Sequence, residues 1–221
     1  MNKANRNRPA SKAGQGGKPA ARGPHQVRII GGQWKRTPLP VLDAEGLRPT
    51  PDRVRETVFN WLTHLLDGDW DNVACLDLFA GSGALGFEAA SRGARRVVMV
   101  EQSGPAVRQL EANRDKLKAD AIAIVRGDAQ AIARNAAQRE PGGFQVVFID
   151  PPYHQGWLEK ILPVCEALLP PSGLVYAEAE FPLEGEGAPA WMAAWEVLRS
   201  DKAGMVFFHV LQRKSGAQIQ A

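Results

Sequence analysis

From residue 73 onward the chain alternates short apolar runs with stretches of helical periodicity, and this pattern leaves few folds open. Runs near 73–79, 96–101, 121–126, 144–149 and 173–179 read as strands, and the stretches near 83–92, 104–117, 128–138 and 155–169 read as helices. Such alternation predicts a mostly parallel sheet with helices on both faces, because each crossover between parallel strands lays a helix against the sheet. The end breaks the rule. Residues 195–199 and 205–213 are strand-like, and Ser200-Asp201-Lys202-Ala203-Gly204 between them leaves no room for a helix. These two runs are expected to form an antiparallel hairpin at the end of the sheet.

Two strand ends carry chemistry. The run 144–149 closes on Asp150-Pro151-Pro152-Tyr153. Neither proline can donate a backbone hydrogen bond, so both helix and strand stop there. The turn offers a carboxylate, stiff carbonyls and an aromatic ring at the C-terminal edge of the sheet, where open α/β sheets bind ligands. A flat heteroaromatic amine fits: its ring stacks on Tyr153, and its amino hydrogens go to Asp150 and the Pro151 carbonyl. The plainer reading is a rigid surface turn after a core strand.

The second strand end is Leu76-Asp77-Leu78-Phe79-Ala80-Gly81-Ser82-Gly83-Ala84-Leu85-Gly86, a strand, a glycine turn and a helix start. Gly81, Gly83 and Gly86 match the dinucleotide-binding spacing, so a nicotinamide or flavin enzyme is a rival. Charge separates the two readings. Asp77, placed near the mouth of the turn, would repel a pyrophosphate and suits the cationic sulfonium and ammonium of S-adenosylmethionine. Glu101, at the end of the next strand, can accept from ribose hydroxyls, and Asp128 after the third can accept from an adenine amino group. Singly, each acid has an ordinary explanation as a cap or helix-start residue. Asp77, Glu101, Asp128 and Asp150 at four consecutive strand ends make a shared ligand the better account.

The N-terminal part differs in kind. Residues 1–28 hold Lys3, Arg6, Arg8, Lys12, Lys18, Arg22 and Arg28 and no acid, while the remaining 193 residues carry a net charge of −4. Rich in Gly, Pro and Ala, residues 1–26 are expected to be a disordered basic tail. Strand-like segments at 27–30 and 37–42 flank a basic connection bearing Trp34, Lys35 and Arg36. A helix follows, for which Thr50 is the expected N-cap and Pro51 the first residue. Val54, Val58, Trp61, Leu62 and Leu65 lie on its core face, with Arg48, Arg53 and Arg55 left to other directions. The expected division is therefore tail 1–26, a hairpin-and-helix extension 27–66, and a larger α/β domain 67–221. Cys75 and Cys165 sit among apolar neighbours, show no metal-type spacing with the histidines and read as buried thiols. No apolar stretch is long enough to cross a bilayer, and the start lacks the apolar centre of a secretory signal.

With these motifs placed, the chain resembles the RsmD family of bacterial enzymes, which methylate N2 of one specific guanine in 16S ribosomal RNA. The resemblance spans roughly residues 27–215. It rests on Arg28-Ile29-Ile30-Gly31-Gly32, Leu47-Arg48-Pro49-Thr50, Arg53-Val54-Arg55-Glu56-Thr57-Val58-Phe59-Asn60, Asp77-Leu78-Phe79-Ala80-Gly81-Ser82-Gly83 and Asp150-Pro151-Pro152-Tyr153. The last two motifs are common to a wide superfamily; the earlier ones make the match specific. The resemblance implies a Rossmann-like class I S-adenosylmethionine-dependent methyltransferase. Its mostly parallel seven-stranded sheet would end in the antiparallel hairpin. It assigns Asp150, Pro151, Pro152 and Tyr153 to the target base, and Asp77, Phe79, Ala80, Gly81, Ser82, Gly83, Glu101, Gln102, Asp128 and Ala129 to S-adenosylmethionine. Arg28, Trp34, Lys35, Arg36, Arg48 and Arg53 become candidate RNA contacts. The expected partner is 16S rRNA or the assembling small subunit, for a cytoplasmic monomer that uses neither metal nor membrane. The rivals are an adenine-N6 methyltransferase, since the tetrapeptide suits any exocyclic amine, and a non-catalytic RNA-binding assembly factor, which the intact tetrapeptide argues against. A cytosine-C5 enzyme would need a cysteine beside the base, and Cys165 lies on a helix.

Overall fold

The computed structural model describes residues 26–41 and 50–215. Residues 1–25 of the expected tail and Arg48 lie outside the described residues, and Gln26, the last tail residue expected, opens the first strand instead. A two-stranded hairpin, β1 (Gln26–Arg28) and β2 (Pro38–Pro40), precedes helix α1 (Asp52–Leu65). Then come β3 (Ala74–Asp77), α2 (Ala84–Ser91), β4 (Arg96–Glu101), α3 (Gly104–Leu117), β5 (Ile122–Arg126) and α4 (Ala129–Arg139). The chain continues through β6 (Val146–Ile149), α5 (Trp157–Leu168) and β7 (Leu174–Ala179) to a hairpin of β8 (Trp195–Ala203) and β9 (Val206–Arg213). The main sheet has seven strands in the order β5-β4-β3-β6-β7-β9-β8. Strands β3 to β7 run parallel, while β9 pairs antiparallel with both β7 and β8. The fold class expected from sequence is the one observed.

The strand order fixes where a ligand can sit. The chain runs outward from β3 through β4 to β5, then returns to place β6 on the other side of β3. Loops leaving β3 and β6 therefore diverge and open a crevice between them. The glycine turn follows β3 and Asp150-Pro151-Pro152-Tyr153 follows β6, so the two motifs face each other across that crevice.

Side-chain alternation along the strands divides the core in two. Cys75, Met99, Val146, Phe148 and Tyr176 pack with Phe87 of α2, Leu110 of α3 and Val54, Val58, Phe59 and Leu62 of α1. Leu76, Val100, Val147, Ile149 and Val175 pack against Ala133 of α4 and Ile161, Leu162 and Cys165 of α5. Helix α1 thus shares one core with the sheet. Trp61 and Leu65 only border this core. Phe59, off the expected apolar face, is fully buried against Trp70 and Phe148 at 5.8 Å between ring centres. The end of α2 covers α1 on that side, with the Arg92 guanidinium 5.1 Å above the Phe59 ring.

Two expectations for this helix are corrected. Thr50 is not its N-cap: α1 starts at Asp52, and Pro51 occupies the cap with no side-chain hydrogen bond. A helix end at an exposed proline can use solvent, whereas the Thr50 hydroxyl is taken by buried Glu178 and half-buried Asp150, for which a missing donor is far more costly. Arg55 does not point outward like Arg53. It is fully buried, donating to Asp52 Oδ1 at 2.6 Å, to the Arg28 carbonyl at 2.8 Å and to the Thr50 carbonyl at 3.3 Å. Its other nitrogen lies 3.9 Å from Glu88 of α2, also buried. Desolvation lowers the guanidinium pKa, opposed by Asp52 and Glu88.

The hairpin is pinned to α2 through the same glutamate. Glu88 accepts from the amides of Ile30 at 2.7 Å and Gly31 at 2.8 Å, and Ser91 accepts from Gln33 and Trp34. Gly32 makes this contact possible: its φ is +72°, and a Cβ there would lie 1.8 Å from the Ser91 carbonyl oxygen. Gly32→Ala is expected to detach the turn. The left-handed backbone alone costs a non-glycine residue about 1–2 kcal/mol, and the clash adds to it. Hydrogen exchange should show the Gln33 and Trp34 amides losing protection while the sheet keeps its own; unchanged protection would refute the contact. Among the described residues no helix is long and apolar enough to cross a membrane.

Candidate active site

The glycine turn is shaped by its neighbours more than by its own sequence. Gly83 precedes α2 with φ +80°, and a Cβ there would come within 2.6 Å of Phe87 and 2.7 Å of Leu110. The Gly81 amide donates to Glu101 Oε2 at 2.9 Å, and the other Glu101 oxygen accepts from the Ser103 amide at 2.7 Å. Glu101 therefore clamps the turn to the start of α3. Gln102, beside it, is exposed. Ala80 and Ser82 are buried in the turn, and Phe79 packs edge-on against Trp157 at 5.3 Å. Asp128 caps α4 by accepting from Ala131 at 2.8 Å and is exposed, with Ala129 buried behind it.

Asp77 sits beneath the turn and not at its mouth, which corrects the expectation. Alternation along β3 turns it to the face that α2 covers, leaving it 1% exposed. One oxygen accepts from the Gly86 amide at 3.1 Å, and the other is buried with no partner. Burial raises the Asp77 pKa to about 7 against the pull of the Gly86 amide.

Across the crevice, Asp150 leaves β6 beside an acid that the sequence reading passed over. The β6–β7 register pairs Phe148 with Tyr176 and Ile149 with Ala177, so the next step brings Asp150 alongside Glu178. The Thr50 hydroxyl bridges them, 3.2 Å from Asp150 Oδ2 and 3.0 Å from Glu178 Oε1. The Tyr176 hydroxyl donates to the same glutamate oxygen at 2.7 Å. Burial, then the adjacent Glu178, then Asp77 hold the Asp150 carboxyl well above the usual carboxylate range. Burial also raises Glu178, while Tyr176 and Thr50 favour its charged form. One signal for Glu178 was present: it is a lone acid in the apolar run Leu174–Ala179. Thr50 drew notice only as a helix cap and as part of the Leu47–Thr50 segment, since its carboxyl partners lie 100 and 128 residues further along the chain.

Pro151 is buried, Pro152 is exposed and Tyr153 is 42% exposed. The following residue fastens this loop, the His154 amide donating to Glu180 just past β7. A cavity of about 240 Å³ opens beside the motif, lined by Pro152, Tyr153, Trp157, Glu178, Phe181 and Trp191. This is room for a flat ring, with aromatic side chains and the Glu178 carboxyl in its lining.

The candidate RNA residues fall into groups. Lys35, Arg36 and Arg53 are exposed. Arg28 is exposed but pairs with Asp52 at 2.8 Å. Trp34 is half-buried and packs on the core, which removes one face from any stacking role.

Comparison with known proteins agrees with this fold. The family model described as conserved hypothetical protein 95 matches residues 27–212. The chain is 40% identical to ribosomal RNA small subunit methyltransferase D of Escherichia coli strain K12 over 206 residues, covering 92% of this chain and 98% of that protein. It is 39% identical to the Haemophilus influenzae protein of the same name over 198 residues, covering 88% and 96%. A solved Escherichia coli structure assigned as a methyltransferase, yhhF, superposes with a TM-score of 0.71 at 36% identity, covering 86% of this chain and 99% of that one. At 18% identity, a precorrin methyltransferase structure from Geobacter metallireducens shares the fold, with a TM-score of 0.58 over 79% of this chain and 94% of that one. Matched nearly end to end by such relatives, the chain is a methyltransferase and belongs to the conserved hypothetical protein 95 family, the RsmD family of the sequence resemblance.

Proposed function

We propose that this protein transfers a methyl group from S-adenosylmethionine to the exocyclic N2 of a specific guanine in 16S ribosomal RNA. The observation that carries the reading is the Asp150–Tyr153 turn, with its aromatic cavity, across the crevice from the glycine turn. The relatives' names, which specify ribosomal RNA of the small subunit, support the substrate class.

The residues present fit S-adenosylmethionine. The turn from Asp77 to Gly83 has no room for larger side chains at Gly83. Beneath it lies an unpartnered carboxylate oxygen of Asp77, suited to a cationic ligand. Glu101 and Gln102 would take the ribose, and Asp128 with Ala129 the adenine. When bound, this group supplies an electrophilic methyl carried on a sulfonium.

The chain's own residues do the rest. A guanine N2 lone pair is delocalised into the ring and reacts poorly. Hydrogen bonds from its two hydrogens to Asp150 and the Pro151 carbonyl draw the nitrogen toward a pyramidal geometry and localise that pair. Tyr153 replaces the stacking that the base loses on leaving its strand. Rate enhancement then comes from alignment and electrostatics.

Extension 27–66 is the RNA-facing part of this reading, with Arg28, Lys35, Arg36, Arg48 and Arg53 as contacts and the basic tail adding salt-sensitive attraction. The protein would work as a cytoplasmic monomer. Radiolabelled methyl transfer to small-subunit rRNA, followed by nucleoside analysis, tests the function. N2-methylguanosine is expected, and N6-methyladenosine would overturn the base assignment.

Two variants probe the parts. Glu101→Ala removes both the clamp on Gly81 and the ribose acceptor, and should weaken S-adenosylmethionine binding by about 1.5–3 kcal/mol. Unchanged affinity by calorimetry would sink the ribose assignment. Replacing Lys35 and Arg36 together by alanine should lower turnover at saturating RNA as well as affinity, because ordered phosphate contacts set the register of the substrate. A silent double variant would remove this face from the RNA path.

A further inference from the structure

Methylation of an exocyclic amine leaves a proton to be disposed of, and the crevice contains an arrangement suited to it. Asp150 and Glu178 lie side by side at the ends of β6 and β7, bridged by the Thr50 hydroxyl. Glu178 is 5% exposed and also holds the Tyr176 hydroxyl. Two carboxyl groups in such contact do not both ionise, since the second charge would be buried against the first. One proton is therefore held by the pair. Thr50 serves both carboxyls, whereas the Tyr176 hydroxyl donates to Glu178 alone and favours charge there, which leaves the shared proton on Asp150.

We propose that Glu178 is a positioning residue that receives, through Asp150, the proton released as the target amine is methylated. The inference rests on the function proposed above. In its neutral form Asp150 donates its hydrogen to Glu178 and offers its other oxygen to the amine hydrogen. As the new carbon–nitrogen bond forms, nitrogen acquires positive charge. Its N–H bond breaks, the electron pair returns to nitrogen, and the proton passes to the free Asp150 oxygen. The proton already on Asp150 moves to a Glu178 oxygen. Asp150 is neutral before and after; Glu178 changes from carboxylate to acid and later returns its proton to solvent.

The other titratable groups around the pair are Asp77 on β3, Tyr176 on β7 and Tyr153 in the following loop, with Glu180 acting on Tyr153. No cation among the described residues acts on either carboxyl. The active form is the singly protonated pair, so the rate should fall at acid pH as Glu178 fills.

The test is single-turnover methyl transfer across pH with wild type, Glu178→Gln and Tyr176→Phe. Glutamine still accepts from Tyr176 and Thr50 but takes no proton. The rate should drop roughly 10²–10³-fold, in the range of general acid–base contributions, and the acid limb should vanish, with S-adenosylmethionine affinity within a few-fold. Tyr176→Phe removes a donor that favours charged Glu178, so its acid limb should move to higher pH with the plateau nearly kept. A wild-type rate in Glu178→Gln, or an unmoved limb in Tyr176→Phe, overturns the proposal. Should Glu178→Gln fail to fold, Tyr176→Phe decides alone. A second readout needs no catalysis: in a background carrying Asp77→Asn, which removes the other raised buried carboxyl, the free protein at neutral pH should show the infrared carbonyl stretch of a buried protonated carboxyl, lost on adding Glu178→Gln. Its absence from the Asp77→Asn protein overturns the shared proton. Wild type that methylates no guanine N2 defeats the proposed function; wild type that does so, beside indifferent variants, defeats only this inference.

Discussion

Asp150→Ala should abolish methyl transfer while leaving S-adenosylmethionine affinity within a few-fold. The side chain lies across the crevice from the glycine turn, and its expected contact is to the acceptor base. Removing one oriented partner of a reacting group typically lowers the rate about 10²–10³-fold, and the loss here should exceed that, because in the proposed mechanism Asp150 also connects the base to Glu178. The variant should still fold. Its wild-type carboxyl is held well above the usual range by burial, then by Glu178 and Asp77. A carboxyl raised in the folded state binds more protons there than in the unfolded chain, so it loses stability as pH rises from the unfolded value toward the raised one. Above pH 4 the stability of wild type should therefore decline more steeply with pH than that of Asp150→Ala. Asp77, raised to about 7, contributes a decline of the same sign up to that pH. Calorimetry showing cofactor binding lost in a folded Asp150→Ala would assign Asp150 to the wrong ligand.

Arg55→Ala should be among the most destabilising single changes in the N-terminal part. The guanidinium is 1% exposed and satisfies three acceptors from two segments: Asp52 and the Thr50 carbonyl at the entry to α1, and the Arg28 carbonyl of β1. Glu88, fully buried, would keep Arg92 at 2.9 Å and the Ile30 and Gly31 amides but lose the nearby positive charge. Breaking a buried pair from one side costs about 3–5 kcal/mol. For a chain of this size that is a fall in melting temperature of roughly 10 °C. Activity should fall too, even well below the melting temperature. Arg55 holds the backbone of Thr50, whose hydroxyl bridges Asp150 and Glu178, so loosening Thr50 loosens the carboxyl proposed to hold the target base. Thermal unfolding within 2 °C of wild type (about 1 kcal/mol or less) would show that Arg55 is not the tie described.

The sequence by itself determined whatever is written locally. Periodicity and turn residues sufficed to place β4 at Arg96–Glu101 and α3 at Gly104–Leu117, the bounds observed. The glycine turn and the Asp-Pro-Pro-Tyr turn were legible at their strand ends because glycine and proline act on their own backbone. Pairing was another matter. Arg53 and Arg55 are two residues apart and equally charged, yet one is exposed and the other buried, because only Arg55 meets the carbonyls of Arg28 and Thr50. Asp77 looks like a mouth residue until α2 covers it. Thr50, Asp150 and Glu178 have no local relation to one another. They meet because β6 and β7 pair in register and the segment entering α1 crosses above them. A chain's pattern reports each residue's own preference and its neighbours along the backbone. Which face another element covers, and which distant carboxyls must share one proton, is fixed only when the sheet assembles.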